Sequence, residues 1–179
     1  MPALDQSIFE AIFRFSHRSF FLDAVIVFLA QYLSYLLVLG ACVLVFSEKN
    51  FRRRAFFACE ILLALILSRG LITELVRFFY PHPRPFEVLA IQPLFTESSN
   101  SFPSGHAAFF FALALAIFFF NRAWGTVYLA LAAVNSFARI LSGVHWPFDV
   151  VAGIVVGLAS AYAVHQLLLP YAQELKKEA

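Results

Sequence analysis

Charged residues are scarce in this sequence, and their scarcity excludes most soluble folds. Only 13% of the 179 residues are Asp, Glu, Lys or Arg, whereas 61% are hydrophobic and 23 are Phe. A chain of this length cannot hide so much apolar surface in one water-exposed core, so the composition predicts a membrane protein. The net charge of only +2, spread over scattered basic residues, argues against a nucleic-acid partner.

Cysteine and glycine are also scarce, with two and seven residues. Cys42 and Cys59 lie inside apolar runs, where Cys usually behaves as a small hydrophobe, so no disulfide framework is expected. The first residues include Asp5 and Glu10 and lack a basic start followed by an apolar core. They do not match a cleavable signal peptide, and the mature chain is expected to begin here.

Long apolar runs predict an all-α, polytopic membrane bundle, because about 20 helical residues cross a hydrocarbon core of about 30 Å. The predicted spans cover residues 20–46, 55–79, 103–120, 123–141 and 148–169. Before them, Ile8, Ile12 and Phe15 share one helical side, which predicts a short N-terminal helix in the membrane interface. No internal repeat divides the chain, so residues 1–179 are predicted to form one integral-membrane domain.

Loop charges predict how the bundle crosses the membrane. Basic residues concentrate in segments that five spans place on one side, namely Lys49, Arg52, Arg53, Arg54, Arg122, Lys176 and Lys177. The positive-inside rule makes that side cytoplasmic. Arg77, Arg84 and Arg139 lie toward the opposite side, against this rule, which indicates that they have another role.

Two of the outward segments contain groups that bind anions. In "RFFYPHPRP", Arg77 lies near the end of the second span, and Arg84 follows on a proline-rich loop that cannot continue the helix. In "PSGH", Ser104 and Gly105 open a helix whose unpaired N–H groups and positive dipole end attract anions. Alone, each has an ordinary explanation, the arginines as interfacial or solvated side chains and Ser104 as a helix cap.

The third outward segment, "ARILSGVHWPFD", places Asp149 four residues after His145. This spacing lets the carboxylate bond one imidazole nitrogen and orient the other outward, as in an activated nucleophile. His106, in the first turn of the "PSGH" helix, can donate a proton. Three converging guanidinium groups, including Arg139, suit phosphate oxygens, so the segments together predict a membrane-surface phosphatase.

Two other functions use the same residues. The first is a metal site that holds its ion through two histidines and one carboxylate, His106, His145 and Asp149. The nearby arginines disfavour a dication there. The non-enzymatic alternative is a carrier or transporter that binds phosphate headgroups without hydrolysing them. Arg69, eight residues before Arg77, fits such a pathway or an ion pair within the bundle. Its candidate partners are Glu60 and Glu74.

The three segments together resemble the signature of the type 2 phosphatidic acid phosphatase family. The matching residues are Arg77, Arg84, Pro85, Pro103, Ser104, Gly105, His106, Arg139, His145 and Asp149. Arg77 stands where the family commonly has Lys, and Ala138 where it commonly has Ser. The "SHRSFFLDAVIVF" opening and the "PRPF" loop are similar to the bacterial undecaprenyl diphosphate phosphatase subgroup, although some of its members carry Asp at the position of Gly105.

The resemblance implies a mechanism and a substrate. His145 attacks the terminal phosphorus to give a phosphohistidine, Asp149 orients it, and His106 protonates the leaving oxygen. Phosphate oxygens are held, without metal or cofactor, by Arg77, Arg84, Ser104, Gly105 and Arg139. The implied substrate is a polyprenyl diphosphate at the extracytoplasmic face of the cell membrane. Phosphatidylglycerophosphate, phosphatidic acid and lipid A phosphates are alternatives, and nothing indicates a protein partner.

Overall fold

The computed structural model describes residues 3–177, and every regular element in that range is a helix. The helices are α1 (Ala3–Phe13), α2 (Phe20–Ser47), α3 (Phe51–Phe79), α4 (Pro85–Val88), α5 (Gly105–Phe120), α6 (Arg122–Leu141) and α7 (Pro147–Lys177). The side chains of Lys176 and Lys177, which contributed to the predicted basic tail, lie outside the described residues. The predicted all-α membrane bundle is confirmed.

Four helices, α2, α3, α6 and α7, are long and apolar enough to cross a membrane. The remaining predicted span, α5, has 16 residues, which is about 24 Å at about 1.5 Å per residue. This helix packs against α3, α6 and α7 and buries most of its side chains. It is therefore the central helix of the bundle, and it is short because it starts only at Gly105, after the loop that precedes it.

Capping side chains set where several helices begin. The carboxamide oxygen of Asn50 accepts from the backbone N–H groups of Arg52 and Arg53 at the start of α3. Asn121 caps α6 in the same way and is the only residue between α5 and α6. Because one residue separates them, α5 and α6 run antiparallel as neighbours.

Two glycines of α7 allow a close helix contact in the bundle interior. A Cβ atom at Gly153 would lie 2.5 Å from the backbone oxygen of Ser104, and one at Gly157 would lie 2.5 Å from that of Ala108. Only glycine permits this approach, as in other small-residue contacts between membrane helices. The contact holds the start of α5 beside the start of α7, where the backbone N–H of Ser104 donates to the backbone oxygen of Asp149 at 2.9 Å.

Both long N-terminal spans contain a π-helical turn, Phe28–Tyr32 in α2 and Ile66–Ile72 in α3. A π turn frees backbone carbonyls from the regular pattern. In α2 these carbonyls accept hydrogen bonds from α6, because Asn135 donates to the Leu29 oxygen at 2.7 Å and Arg139 to the Ala30 oxygen at 3.3 Å. The π-helical turn of α2 thus helps to position Arg139, a predicted site residue.

Helix α1 packs on the bundle through the predicted apolar side, where Ile12 and Phe13 are half-buried against the core. Phe9 is fully buried and its ring lies 5.2 Å from that of Trp146. Asp5, one turn earlier, accepts from the backbone N–H of Phe148 at 3.0 Å. Phe15, predicted for the apolar side, follows the end of the helix and is 51% exposed. The charged residue Asp5 therefore faces the protein because it completes a backbone hydrogen bond near the start of α7.

Candidate active site

The loops before α5 and between α6 and α7 meet at one end of the bundle. A cavity of about 680 Å³ opens there and is lined in part by Arg69, Arg77, Glu97, Gly105 and His106. A second cavity, of about 320 Å³, lies beside it and shares Glu97 and His106 while adding Arg139. The structure thus brings residues from all three predicted segments to one place.

His145 and Asp149 are both almost completely buried at this place. The Nδ1 atom of His145 lies 3.5 Å from Oδ2 of Asp149. The hydroxyl of Ser101 donates to the same Oδ2 and lies 3.4 Å from Nδ1 of His145. The other ring nitrogen, Nε2, is buried and has no hydrogen-bond partner among residues 3–177. One nitrogen is therefore held by Asp149 and Ser101, and the second keeps its lone pair or proton available.

Asp149 is positioned by groups that the sequence analysis did not identify. Its Oδ2 accepts from the backbone N–H of Trp146 at 2.9 Å, which fixes the first turn of α7. Its Oδ1 lies 3.5 Å from Nδ1 of His82. Ser101 stands in a run of small polar residues and His82 between two prolines, so neither residue carries a spacing signal that would have distinguished it.

Arg84 is fully buried, although its loop position suggested a solvated side chain. Its backbone begins the short helix α4, where Glu87 accepts from the Arg84 N–H at 2.7 Å. Its guanidinium donates to the backbone oxygens of Ser99 at 2.8 Å and Val144 at 2.6 Å, and its Nη2 lies 2.8 Å from Oε2 of Glu97. Arg84 thereby ties two of the three segments together.

Arg139 is also fully buried and bonds the other oxygen of the same Glu97 carboxylate. We call Arg84, Glu97 and Arg139 the first arginine cluster. The Nε atom of Arg139 has no hydrogen-bond partner within the described part of the chain. Glu97 was missed by the sequence analysis because its loop conformation, rather than its spacing, brings it between the two cations.

Arg77 and Arg69 share a different carboxylate. Nη1 of Arg77 lies 3.6 Å from Oε1 of Glu74, and Nη1 of Arg69 bonds the same oxygen. We call Arg69, Glu74 and Arg77 the second arginine cluster. Arg77 also donates to the backbone oxygen of Pro103 at 3.1 Å. Of the two partners considered for Arg69, Glu74 is the one in contact, while Glu60 bonds His165 instead.

The start of α5 contributes the last predicted residues. Ser104 is buried and caps the helix, because its hydroxyl accepts from the backbone N–H of Ala107 at 3.5 Å. Gly105 and His106 follow in the first turn, where backbone N–H groups have no acceptor within the helix. The His106 ring lines both cavities. The cavities thus present the start of α5, arginines and the His106 imidazole, a set of groups suited to a phosphate, while His145 is fully buried and lines neither cavity.

Comparison with known proteins agrees with this chemistry. The PAP2 superfamily model matches residues 57–171, which hold all the predicted site residues. The chain belongs to the PAP2 superfamily.

Individual proteins are also similar to this PAP2 protein over most of its length. It is 31% identical over 158 residues to undecaprenyl-diphosphatase BcrC of Bacillus subtilis, covering 87% of this chain and 79% of that protein. It is 35% identical over 147 residues to the protein named bacitracin transport permease protein BcrC of Bacillus licheniformis, covering 80% of this chain and 70% of that protein. The crystal structure of Aquifex aeolicus LpxE has the same fold, with a TM-score of 0.77, 23% identity, and coverage of 92% of this chain and 96% of that one. The chain is a membrane phosphatase of the PAP2 superfamily.

The charges of the PAP2 site favour a neutral His145 and an ionised Glu97. Burial, followed by the positive charges of Arg139 and Arg84, holds the pKa of His145 well below its usual value of 6.5. For Glu97, burial raises the pKa, but the charge and hydrogen bond of Arg139 and the charge of Arg84 outweigh it and leave the pKa lowered. At neutral pH, His145 is therefore uncharged and Glu97 is ionised between its two arginines.

The metal alternative has no geometric support in this PAP2 site. Across residues 3–177, no three His, Cys, Asp or Glu side chains converge in an arrangement that could hold a metal ion. In particular, His106, His145 and Asp149 do not form such a group.

Proposed function

We propose that this PAP2 phosphatase removes the terminal phosphate of a polyprenyl diphosphate, converting undecaprenyl diphosphate to undecaprenyl phosphate. The observation that carries the proposal is the environment of His145, whose Nδ1 faces Asp149 and whose buried Nε2 has no partner among the described residues. A nucleophilic imidazole needs this asymmetry, because the held nitrogen fixes the tautomer and the other nitrogen attacks.

The reaction would proceed in two steps. Nε2 of His145 attacks the terminal phosphorus, the bond to the bridging oxygen breaks, and His106 gives that oxygen its proton. Water then attacks the phosphorus of the phosphohistidine, His106 takes the proton from the water, and phosphate and free His145 are released. Asp149 stabilises the imidazolium that develops during the first step.

Phosphate oxygens would be held by the predicted donors, Arg77, Arg84, Ser104, Gly105 and Arg139. Ser104 and Gly105 act through the end of α5, whereas the arginines provide charge that a metal ion provides in other phosphatases. Because that charge is built into the chain, we propose that the reaction needs no metal or other cofactor.

The choice of substrate rests on the relatives. The protein named undecaprenyl-diphosphatase aligns with 87% of this chain. The alternative substrates are phosphate monoesters, namely phosphatidylglycerophosphate, phosphatidic acid and lipid A phosphates. The substrate test must separate them from the diphosphate. The carrier alternative is separated by phosphate release, since a carrier leaves the phosphate attached.

The test is phosphate release by the purified protein from undecaprenyl diphosphate, phosphatidylglycerophosphate and phosphatidic acid, with and without EDTA. We expect the diphosphate to give the highest kcat/KM, activity to survive EDTA, and vanadate to inhibit. Highest kcat/KM for a monophosphate would overturn the substrate, and loss of activity in EDTA restored by a divalent ion would overturn the metal-free mechanism. No phosphate release from any lipid would favour a carrier.

The orientation of the site is tested by thiol labelling in intact cells. Cys42 and Cys59 are free and exposed, so both are first replaced by Ser. We expect a membrane-impermeant maleimide to label Val88→Cys, at the exposed helix α4 of the site end, and not Lys49→Cys, at the opposite end. The reverse pattern would put the active site in the cytoplasm.

A further inference from the structure

The second arginine cluster contains a residue, Arg69, that the proposed reaction does not use. Its guanidinium shares the Glu74 carboxylate with Arg77, so two cations contact one anion. Both arginines line the larger cavity together with His106. The cluster therefore keeps an excess of positive charge on the cavity wall, next to the residue that would protonate the leaving oxygen.

Two local features place Arg69 there. It lies in the π-helical turn Ile66–Ile72, a type of turn that is frequent at functional sites. The backbone oxygen of Ser68 accepts from the backbone N–H of Thr73 and, at 2.8 Å, from its hydroxyl. Opposite it, a Cβ atom at position 105 would lie 2.6 Å from Nε of Arg69. The absence of a side chain at Gly105 is thus what leaves room for this guanidinium.

The two clusters divide the cavity region between them. His106 lines the larger cavity with Arg69 of the second cluster and the smaller cavity with Arg139 of the first cluster. Each cluster has two guanidinium groups and one carboxylate. A lipid monophosphate would be held by the first cluster and Arg77, whereas a diphosphate has a second phosphate that can also reach Arg69 on the wall of the larger cavity, with the bridging oxygen near His106.

We propose that Arg69 binds the inner phosphate of a diphosphate substrate, the one that stays attached to the lipid, and so favours diphosphates over monophosphates. This inference rests on the proposed function, with the terminal phosphate at the first cluster and His145. When His145 attacks, the bond from the terminal phosphorus to the bridging oxygen breaks, and that oxygen stays with the inner phosphate and receives the His106 proton. Arg69 donates to the non-bridging oxygens of this leaving phosphate as negative charge gathers on it.

The test compares Arg69→Gln with the parent protein on undecaprenyl diphosphate and on phosphatidic acid. Loss of a charged hydrogen bond should lower kcat/KM for the diphosphate about 10- to 100-fold and for the monophosphate less than about 3-fold. Arg69→Lys, which keeps the charge and loses the fork, should recover part of the loss. Arg18→Gln, an exposed arginine in the α1–α2 connection, is the matched charge control and should leave both rates unchanged.

Inhibition gives a readout that does not depend on the diphosphate being the substrate. Methylenediphosphonate carries two phosphonates joined by carbon, whereas vanadate resembles a single phosphoryl group. With phosphatidic acid as the substrate, Arg69→Gln should raise the inhibition constant of methylenediphosphonate and leave that of vanadate unchanged. If Arg69→Gln does not fold, Arg69→Met replaces it, because it keeps an unbranched side chain and removes the charge. The same selective loss is expected.

The outcomes separate the inference from the proposed function. A parent that hydrolyses the diphosphate best, with Arg69→Gln changing neither the substrate ratio nor the diphosphonate inhibition, would overturn only the role of Arg69. Equal losses on both substrates and both inhibitors would assign Arg69 to the support of Glu74 and Arg77. A parent that prefers monophosphates but loses diphosphonate inhibition in Arg69→Gln would overturn the proposed substrate and retain the second phosphate site.

Discussion

Two histidine–carboxylate pairs lie toward opposite ends of the bundle, and they differ in their surroundings. At the site, Nδ1 of His145 is 3.5 Å from Asp149. His165 lies about 27 Å along α7 from the first residue of that helix, at about 1.5 Å per residue. Its Nδ1 atom is 2.6 Å from Oε1 of Glu60. The His165 ring also stacks on Phe119, with centroids 3.7 Å apart.

The tighter pair is the one without features of a catalytic site. Arginine clusters and a helix N-terminus surround His145, and its Nε2 has no partner in the described residues. The ring of His165 is instead covered by an aromatic face, and its carboxylate partner Glu60 is buried between α3 and α7. A histidine bonded to a carboxylate is therefore not by itself evidence of a nucleophile. The buried arginines and the unpartnered nitrogen distinguish the site, because the arginines that line the cavity beside His165, Arg53 and Arg122, are exposed.

The largest expected effect contrasts the two histidines. His145→Ala should reduce turnover by about 10⁶-fold, because it removes the nucleophile, and should abolish covalent labelling by a radiolabelled phosphate substrate. His165→Ala should keep both. Rapid-quench labelling, followed by a search for acid-labile, base-stable phosphohistidine, measures this. Undiminished label in His145→Ala would move the nucleophile to another residue.

Replacing the carboxylate of each pair should likewise reduce activity far more at Asp149 than at Glu60. Asp149→Asn keeps the shape but weakens the orientation of His145, so kcat should fall by up to about 10⁴-fold. Glu60→Gln should leave kcat within about 3-fold and reduce stability by about 1–3 kcal/mol, because a buried hydrogen bond to His165 is weakened. Phosphate-release assays and thermal unfolding in detergent give the two quantities. A large activity loss in Glu60→Gln with normal stability would show that the distant pair takes part in catalysis.

His106→Ala should have a smaller effect than His145→Ala and one of a different kind. Loss of a general acid costs about 10²- to 10⁴-fold, and a substrate with a good leaving group should recover part of it because it needs little protonation. His145→Ala should recover nothing with the same substrate. Equal recovery, or none, in the two variants would mean that their assigned roles are wrong.

The smallest expected effect is on the pH dependence of kcat/KM, whose decline in acid should shift to lower pH. Because burial and nearby arginines lower the pKa of His145, its neutral form should persist as the pH falls through 6.5. In His106→Ala with a good leaving group, kcat/KM should therefore decline only well below pH 6.5. A decline centred near pH 6.5 that persists when Asp149→Asn is added, so that Asp149 cannot titrate, would indicate that His145 has an ordinary pKa.

The helices and the three motif segments were predictable because their signals are local. Apolar length marks the spans, and an i,i+4 spacing relates His145 to Asp149 whatever the rest of the chain does. The bounds of α5 were also predictable, because residues 103–120 were predicted for this span and Ser104 and Gly105 mark its start. The boundary is set by the Ser104 cap and the close contact with α7.

The supporting residues of the site were not predictable because they depend on how loops fold back. Ser101 reaches Asp149 across 48 positions of sequence, and Glu97 reaches Arg139 across 42. No periodicity relates residues this far apart. The partner of Arg69 was narrowed to two glutamates by sequence, and the π-helical turn of α3 decides between them by setting which way the side chain points.

Glu97 also has a consequence for how the protein matures. Two fully buried guanidinium groups would strongly destabilise the folded state if they lacked an anion, and Glu97 is a counter-ion that the chain itself supplies. We therefore expect the bundle to assemble before it meets any lipid, and an arriving phosphate to exchange with the Glu97 carboxylate instead of organising the site. Glu97→Gln should accordingly unfold at a lower temperature than the parent, and inorganic phosphate should restore more stability to this variant than to the parent. Equal thermal stability without phosphate would show that the two arginines need no internal anion.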